Sequence, residues 1–139
     1  MTGTNAIFWP MIAHAILVYG LYALLMMRRK AAVAAGNATS SQFRENRDEP
    51  LESLFVRNSL ANQFELPVLF YACSIVTYLV DADSLPAIAL AWIFVLSRFA
   101  HAYIHVTSNR IRYRGPAFGV GFLALGAMWA WLAVWMILD

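Results

Sequence analysis

Apolar residues fill four long stretches of the chain, Ala6 to Met27, Leu54 to Val80, Leu85 to Val106 and Ala117 to Leu138, and polar residues are largely confined to what separates them. Each stretch is long enough to cross a hydrocarbon core of about 30 Å as a helix, which takes roughly 20 residues. The pattern predicts a single domain, 1–139, with four spanning helices at 5–28, 51–80, 85–109 and 116–138. The expected fold is all-α, an integral membrane four-helix bundle of up-down topology. Asp48, Pro50 and Glu52 read as the start of the second helix: a capping acid, a first-turn proline and negative charge at the positive end of the dipole. Gly115-Pro116 is expected to start the fourth. The polar connection 31–50 is too long for a tight hairpin, and its composition gives no reason to expect regular structure.

Two of these helices interrupt their own apolar pattern. In the second, Asn58, Asn62 and Glu65 stand at i, i+4 and i+7 with Arg57 beside them, and Pro67 is expected to free a backbone carbonyl one turn back. In the third, Arg98, His101 and His105 stand at i, i+3 and i+7 and share a face. An arginine within a span costs about 2.5–3.5 kcal/mol on insertion scales, so it needs a buried partner or a polar cavity. The two helices run in opposite directions, which puts both polar faces at the same depth, where they are expected to meet. His14, midway along the first helix, reads as a hydrogen-bonded packing residue.

Composition agrees with the pattern, since 61% hydrophobic and 13% charged residues leave too little charged surface for a soluble domain. Charge adds orientation. All ten Lys and Arg residues lie between Arg28 and Arg57 or between Arg98 and Arg114, whereas the second connection carries only Asp81 and Asp83. By the positive-inside rule the first and third connections are cytoplasmic and both termini lie on the non-cytoplasmic side. The first stretch lacks a basic leader and a cleavage pattern, so it is expected to remain a helix. A net charge of +2 is too small to suggest nucleic acid. The single cysteine, Cys73, excludes an intrachain disulfide and reads as a packing residue.

Three chemistries fit the polar slab. Glu65, Arg98, the asparagines and the histidines could form a buried network that fixes helix packing. His101 and His105, four apart, could share a metal ion with Glu65, although Arg98 on the same face would repel a cation. The third is a site for a small anionic ligand, with Arg57, Arg98, Arg110, Arg112, Arg114, Asn58, Asn62 and Asn109 as donors and Glu65 as partner for an amino group. An arginine near a ligand thiol would lower its pKa below about 8.5 and supply a thiolate. The bland alternative for Arg110, Arg112 and Arg114 is a basic loop that enforces topology and touches anionic membrane lipid.

Asn62-x-x-Glu65 with a proline shortly after it, and Arg98-x-x-His101-x-x-x-His105 followed by a basic turn, resemble the MAPEG family, the membrane-associated proteins of eicosanoid and glutathione metabolism, and its bacterial members most closely. The resemblance spans essentially the whole chain. It implies a homotrimer, in the inner membrane if the cell is bacterial, that binds glutathione as co-substrate between neighbouring subunits from the cytoplasmic side and needs no metal. The implied activity is that of a glutathione transferase or peroxidase acting on a lipophilic small molecule, the alternative being a non-catalytic relative. Asn62, Glu65 and Arg98 match family positions. His105 stands where the family usually has a ligand-touching tyrosine, and Asn58 where better-known members have an arginine, with Arg57 one position off. The thiolate-activating arginine corresponds to Arg114 or Arg112.

Overall fold

The computed structural model describes residues 5–138, and the regular structure among them is entirely helical. A 3-10 turn, Asn5–Ile7, leads into α1, Phe8–Ala34. A short α2, Gln42–Glu45, lies in the first connection. Then come α3, Leu51–Asn62, α4, Leu66–Leu79, α5, Leu85–Val106, and α6, Ile111–Leu138. The helices α1, α5 and α6 are each long and apolar enough to cross a membrane. The second apolar stretch is divided between α3 and α4, of 12 and 14 residues, which in tandem have the length of one more crossing. The protein is a multi-pass integral membrane protein. Large apolar side chains such as Ile16, Leu69, Leu96 and Leu123 stand exposed on the outside of the bundle, as a lipid solvent permits.

The arrangement centres on α5, which packs most extensively against α6 and also touches α1, α3 and α4. Two buried apolar clusters result. One gathers Ile7, Phe70, Phe94, Val95, Leu125 and Met128, with Phe70 and Phe94 stacked at 4.6 Å between ring centroids. The other gathers Leu21, Leu25, Val56, Leu60 and Ala102 at the end that carries the basic residues. Along α1, the α3–α4 pair and α5, the buried polar residues His14, Gln63 and Arg98 fall between the two clusters. Because lipid tails are as apolar as leucine, these clusters hold the bundle by packing more than by escape from water.

One contact shows how close that packing is. A β-carbon placed on Gly121 of α6 would overlap Ser97 Oγ of α5, which donates to the Phe94 carbonyl at 2.6 Å. We expect Gly121→Ala to cost about 1–3 kcal/mol. Adding Ser97→Ala should return most of that, because the next atom is then Ser97 Cβ at 3.5 Å. Equilibrium unfolding in mixed micelles measures both, and an equally destabilised double variant would show that this approach is not the cause.

Several boundaries differ from the hydropathy reading. The first helix runs to Ala34, beyond the expected 28, and the polar connection contains α2. Pro50 itself takes the cap position of α3, with extended backbone (φ −60°, ψ 150°), and Asp48 makes no cap bond. The expected kink at Pro67 is a full break: α3 stops at Asn62, and Pro67 sits in the first turn of α4. A proline has no N–H for the carbonyl of Gln63 one turn earlier, so a continuous helix would lose a bond there. The last helix begins at Ile111, ahead of the expected 116, after a turn in which Asn109 adopts a left-handed conformation (φ 50°). Pro116 therefore lies inside the helix.

The first connection is tied to α1 by an ion pair. Arg29 donates to Glu49 through Nε at 2.9 Å and Nη2 at 2.6 Å, and Ser53 Oγ donates to the same carboxylate at 2.5 Å. Burial alone would raise the Glu49 carboxyl, but the bonds from Arg29 and Ser53, with the charges of Arg29 and Arg57, outweigh it and hold the group below its ordinary range. A carboxyl lowered on folding stabilises fully above its unfolded pKa of about 4.3, and that contribution is lost as pH falls through the folded value. Hydrogen-exchange protection across residues 37–50, taken relative to the intrinsic rate at each pH, should therefore fall on acidification through the carboxyl range, and Arg29→Gln should remove this dependence. Protection that stays constant with pH in the unaltered protein would contradict the anchor.

Candidate functional site

At the basic end of the bundle a cavity of about 270 Å3 opens between the end of α3, the last two turns of α5 and the start of α6, lined by Asn62, His101, His105, Ile111, Arg114 and Phe118. Its polar walls follow from the local structure. His101 and His105 share a face of α5 and are 4% and 5% exposed, with rings 5.6 Å apart. The Nδ1 atom of each is buried and has no hydrogen-bond partner. An unpaired polar atom in the interior costs about 1–3 kcal/mol, and an ordered water or a ligand bonding these two would offset it.

The start of α6 adds positive charge. Arg112 and Arg114 lie in its opening turns and Arg110 directly precedes it. Cations at the positive end of a helix dipole are unfavourable by roughly 0.3–1 kcal/mol each. That local penalty is the reverse of what helix stability favours, and an anion bound there would relieve it. Of the three, Arg114 lines the cavity and donates through Nη1 to Asn109 Oδ1, the side chain of the turn residue before the helix. Arg110 and Arg112 are exposed, and Arg112 lies over the Tyr113 ring at 5.9 Å.

The two polar faces meet, but through a residue that the spacing argument passed over. Arg98, 1% exposed, donates through Nη2 to the backbone carbonyl of Asn62 at 3.1 Å, and through Nε and Nη2 to Gln63 Oε1 at 3.4 and 3.5 Å. Glu65 forms no ion pair with it, and Glu65 and Asn58 are exposed while Arg57 is half-buried. Gln63 is 3% exposed and also meets His14 Nε2 at 3.0 Å, while Tyr71 Oη lies 2.9 Å from His14 Nδ1. The helical stripe through Asn58, Asn62 and Glu65 excludes position 63. The usable signal was a glutamine four residues before a proline, seven, four and three residues after Val56, Ser59 and Leu60.

Asn62 thus belongs to both sets, with its carbonyl on Arg98 and its side chain at the cavity, where Nδ2 donates to the Asn58 carbonyl at 3.1 Å. Two larger cavities lie elsewhere. One of about 590 Å3 runs along α1 past Tyr22, Met26 and Phe43, and one of about 340 Å3 lies beside Trp131 and Trp135. The first holds no buried side-chain atom without a partner; the second has the buried, unpaired indole Nε1 atoms of Trp131 and Trp135 but no charged side chain in its wall. Among the described residues no three His, Cys, Asp or Glu side chains converge as a metal centre would need.

Neither a curated protein nor a solved structure matches the chain. A family does: its model covers residues 6–134, so the polar layer, the broken helix and the cavity all lie inside the match, and the chain belongs to the MAPEG family.

Proposed function

We propose that this protein binds glutathione at the basic end of the bundle and holds the sulfur as a thiolate for attack on a lipophilic electrophile or hydroperoxide that arrives from the bilayer. Membership of the family supports a membrane protein of the glutathione and eicosanoid metabolism type. The observation that carries the finer reading is the cavity in which Arg114 stands beside two buried imidazole nitrogens without partners. A fixed guanidinium lowers the pKa of a neighbouring thiol, and a site walled from water strengthens that effect. Arg114 is favoured over Arg112 for this role because it lines the cavity and is held by Asn109, whereas Arg112 faces outward.

Ligand pockets run from roughly 300 to 1,000 Å3, and a cavity of about 270 Å3 falls just short. We take the remainder to be supplied by a second copy in a homotrimer. Arg57, Asn58 and Glu65, polar groups on the outside of a membrane crossing, would then meet glutathione or the neighbouring chain together with Arg110, on the cytoplasmic side by the distribution of charge. His101, His105 and Asn62 would bond the tripeptide directly. A reading in which the polar layer serves helix packing alone accounts for His14, Gln63 and Arg98, whose bonds are internal. It leaves the two histidine nitrogens unexplained.

Titration calorimetry on the purified protein tests the proposal. Saturable glutathione binding is expected, weakened about tenfold or more in Asn62→Leu through loss of a hydrogen bond to a charged ligand. The absence of saturable heat in the unaltered protein would end the glutathione reading.

A further inference from the structure

The inner half of the polar layer has no role in the site described above, yet it is built around the one buried guanidinium among the described residues. Every hydrogen-bond acceptor of Arg98 is neutral: the Asn62 carbonyl and Gln63 Oε1. Arg98 is not part of the cavity wall. Two of its nitrogens are committed to the chain.

What it bonds is the end of a broken helix. In an unbroken helix the Asn62 carbonyl would accept from the N–H four residues on, and here the chain turns away before that bond can form. Arg98 Nη2 supplies the missing donor. Gln63 secures the same point from the other side: its Nε2 donates to the Ser59 carbonyl at 3.0 Å and its Oε1 receives both Arg98 and His14. Arg98 can only donate, so Oε1 must face it, and His14 must then carry its proton on Nε2. Three helices, α1, α3 and α5, thus converge on the residue that presents Asn62 to the cavity.

We infer that Gln63 and Arg98 are positioning residues, a bridge from α1 and α5 to the helix break that sets Asn62 against the ligand, and that Arg98 acts through this bridge and not by touching the ligand. The inference rests on the reading of the cavity as a glutathione site only for its effect on affinity. The bridging itself is a claim about the backbone.

The test separates the two. Gln63→Met keeps the volume and removes the amide. Arg98→Lys keeps the charge, but a single ammonium cannot span both acceptors as the planar guanidinium does. Gln63→Glu keeps the acceptor oxygen. Gln63→Met and Arg98→Lys should each weaken glutathione binding about tenfold, quicken amide exchange at residues 63–66, and leave the thiolate midpoint of bound glutathione unmoved, since Arg114 is untouched. Gln63→Glu, which keeps the acceptor for Arg98 and His14 but loses the bond to the Ser59 carbonyl, should be weakened less than Gln63→Met, by about threefold to fivefold. Arg98→Lys with full affinity and unchanged exchange would overturn the inference, as would Gln63→Glu impaired as severely as Gln63→Met. If the unaltered protein binds no glutathione, the functional proposal falls and exchange alone decides: faster at 63–66 in the variants sustains the bridge, unchanged refutes it. Should Gln63→Met fail to fold, Arg98→Lys carries the same comparison.

Discussion

Arg114→Ala is expected to remove the ultraviolet thiolate band that glutathione develops on binding, and to lower turnover with a lipophilic electrophile on the order of 100-fold. A free thiol is only a few per cent ionised at pH 7. A guanidinium a few ångströms away lowers such a pKa by roughly 1–3 units, so most of the thiolate at neutral pH depends on that one charge. Arg114 is the cation in position to supply it, because it lines the cavity and is held by Asn109. Arg112→Ala, which changes a side chain lying over Tyr113 on the outside, should leave both band and turnover near normal. The reverse ranking would transfer the role to Arg112. Survival of the band in the double variant would remove it from both, even if glutathione still binds.

Arg98→Ala should produce the largest loss of stability. It strands the Asn62 carbonyl at the helix break, at about 1–3 kcal/mol, and empties a side chain that is 1% exposed among α1, α3 and α5, where comparable large-to-small changes cost about 2–5 kcal/mol. Removing a buried charge whose hydrogen-bond acceptors are all neutral returns part of this, which leaves a net loss of about 2–4 kcal/mol. Arg98→Met separates the contributions: it fills the volume and removes the charge, so only the stranded carbonyl remains and the loss should stay near 1 kcal/mol, at about the low end of that cost. Unfolding in mixed micelles gives both numbers. An Arg98→Ala protein as stable as the unaltered one would mean that the polar layer contributes nothing to the bundle.

Much of this architecture was legible before any coordinates, because membrane helices announce themselves by length and apolarity. The stretches that became α1, α5 and α6 required no tertiary information. The meeting of two polar faces at one depth followed from strand-free, antiparallel connectivity and the spacing of Arg98, His101 and His105. The misreadings came from following polar residues and an assumed single helix. Across residues 51–80 the polar spacing selected Asn58, Asn62 and Glu65 as one face. The buried face of α3 is instead Ser53, Val56, Ser59 and Leu60, which Gln63 continues inward to Arg98 and which leaves Asn58 exposed, while Glu65 lies past the break and is exposed. At residues 109–116 the Gly-Pro pair looked like a boundary, but the left-handed Asn109 made the turn sooner, and Pro116 sits in the second turn of α6, where its missing N–H leaves the Arg112 carbonyl without a helical donor. That shift changes the chemistry, since it moves Arg114 from a loop to a fixed place on a helix.

The central claim is that glutathione ionises in the cavity between Asn62, His101, His105 and Arg114, and its most direct test is the difference absorbance of the purified protein titrated with glutathione at neutral pH. The account predicts a thiolate band that grows and saturates with glutathione. A titration that saturates by calorimetry while the thiolate band never appears would contradict it.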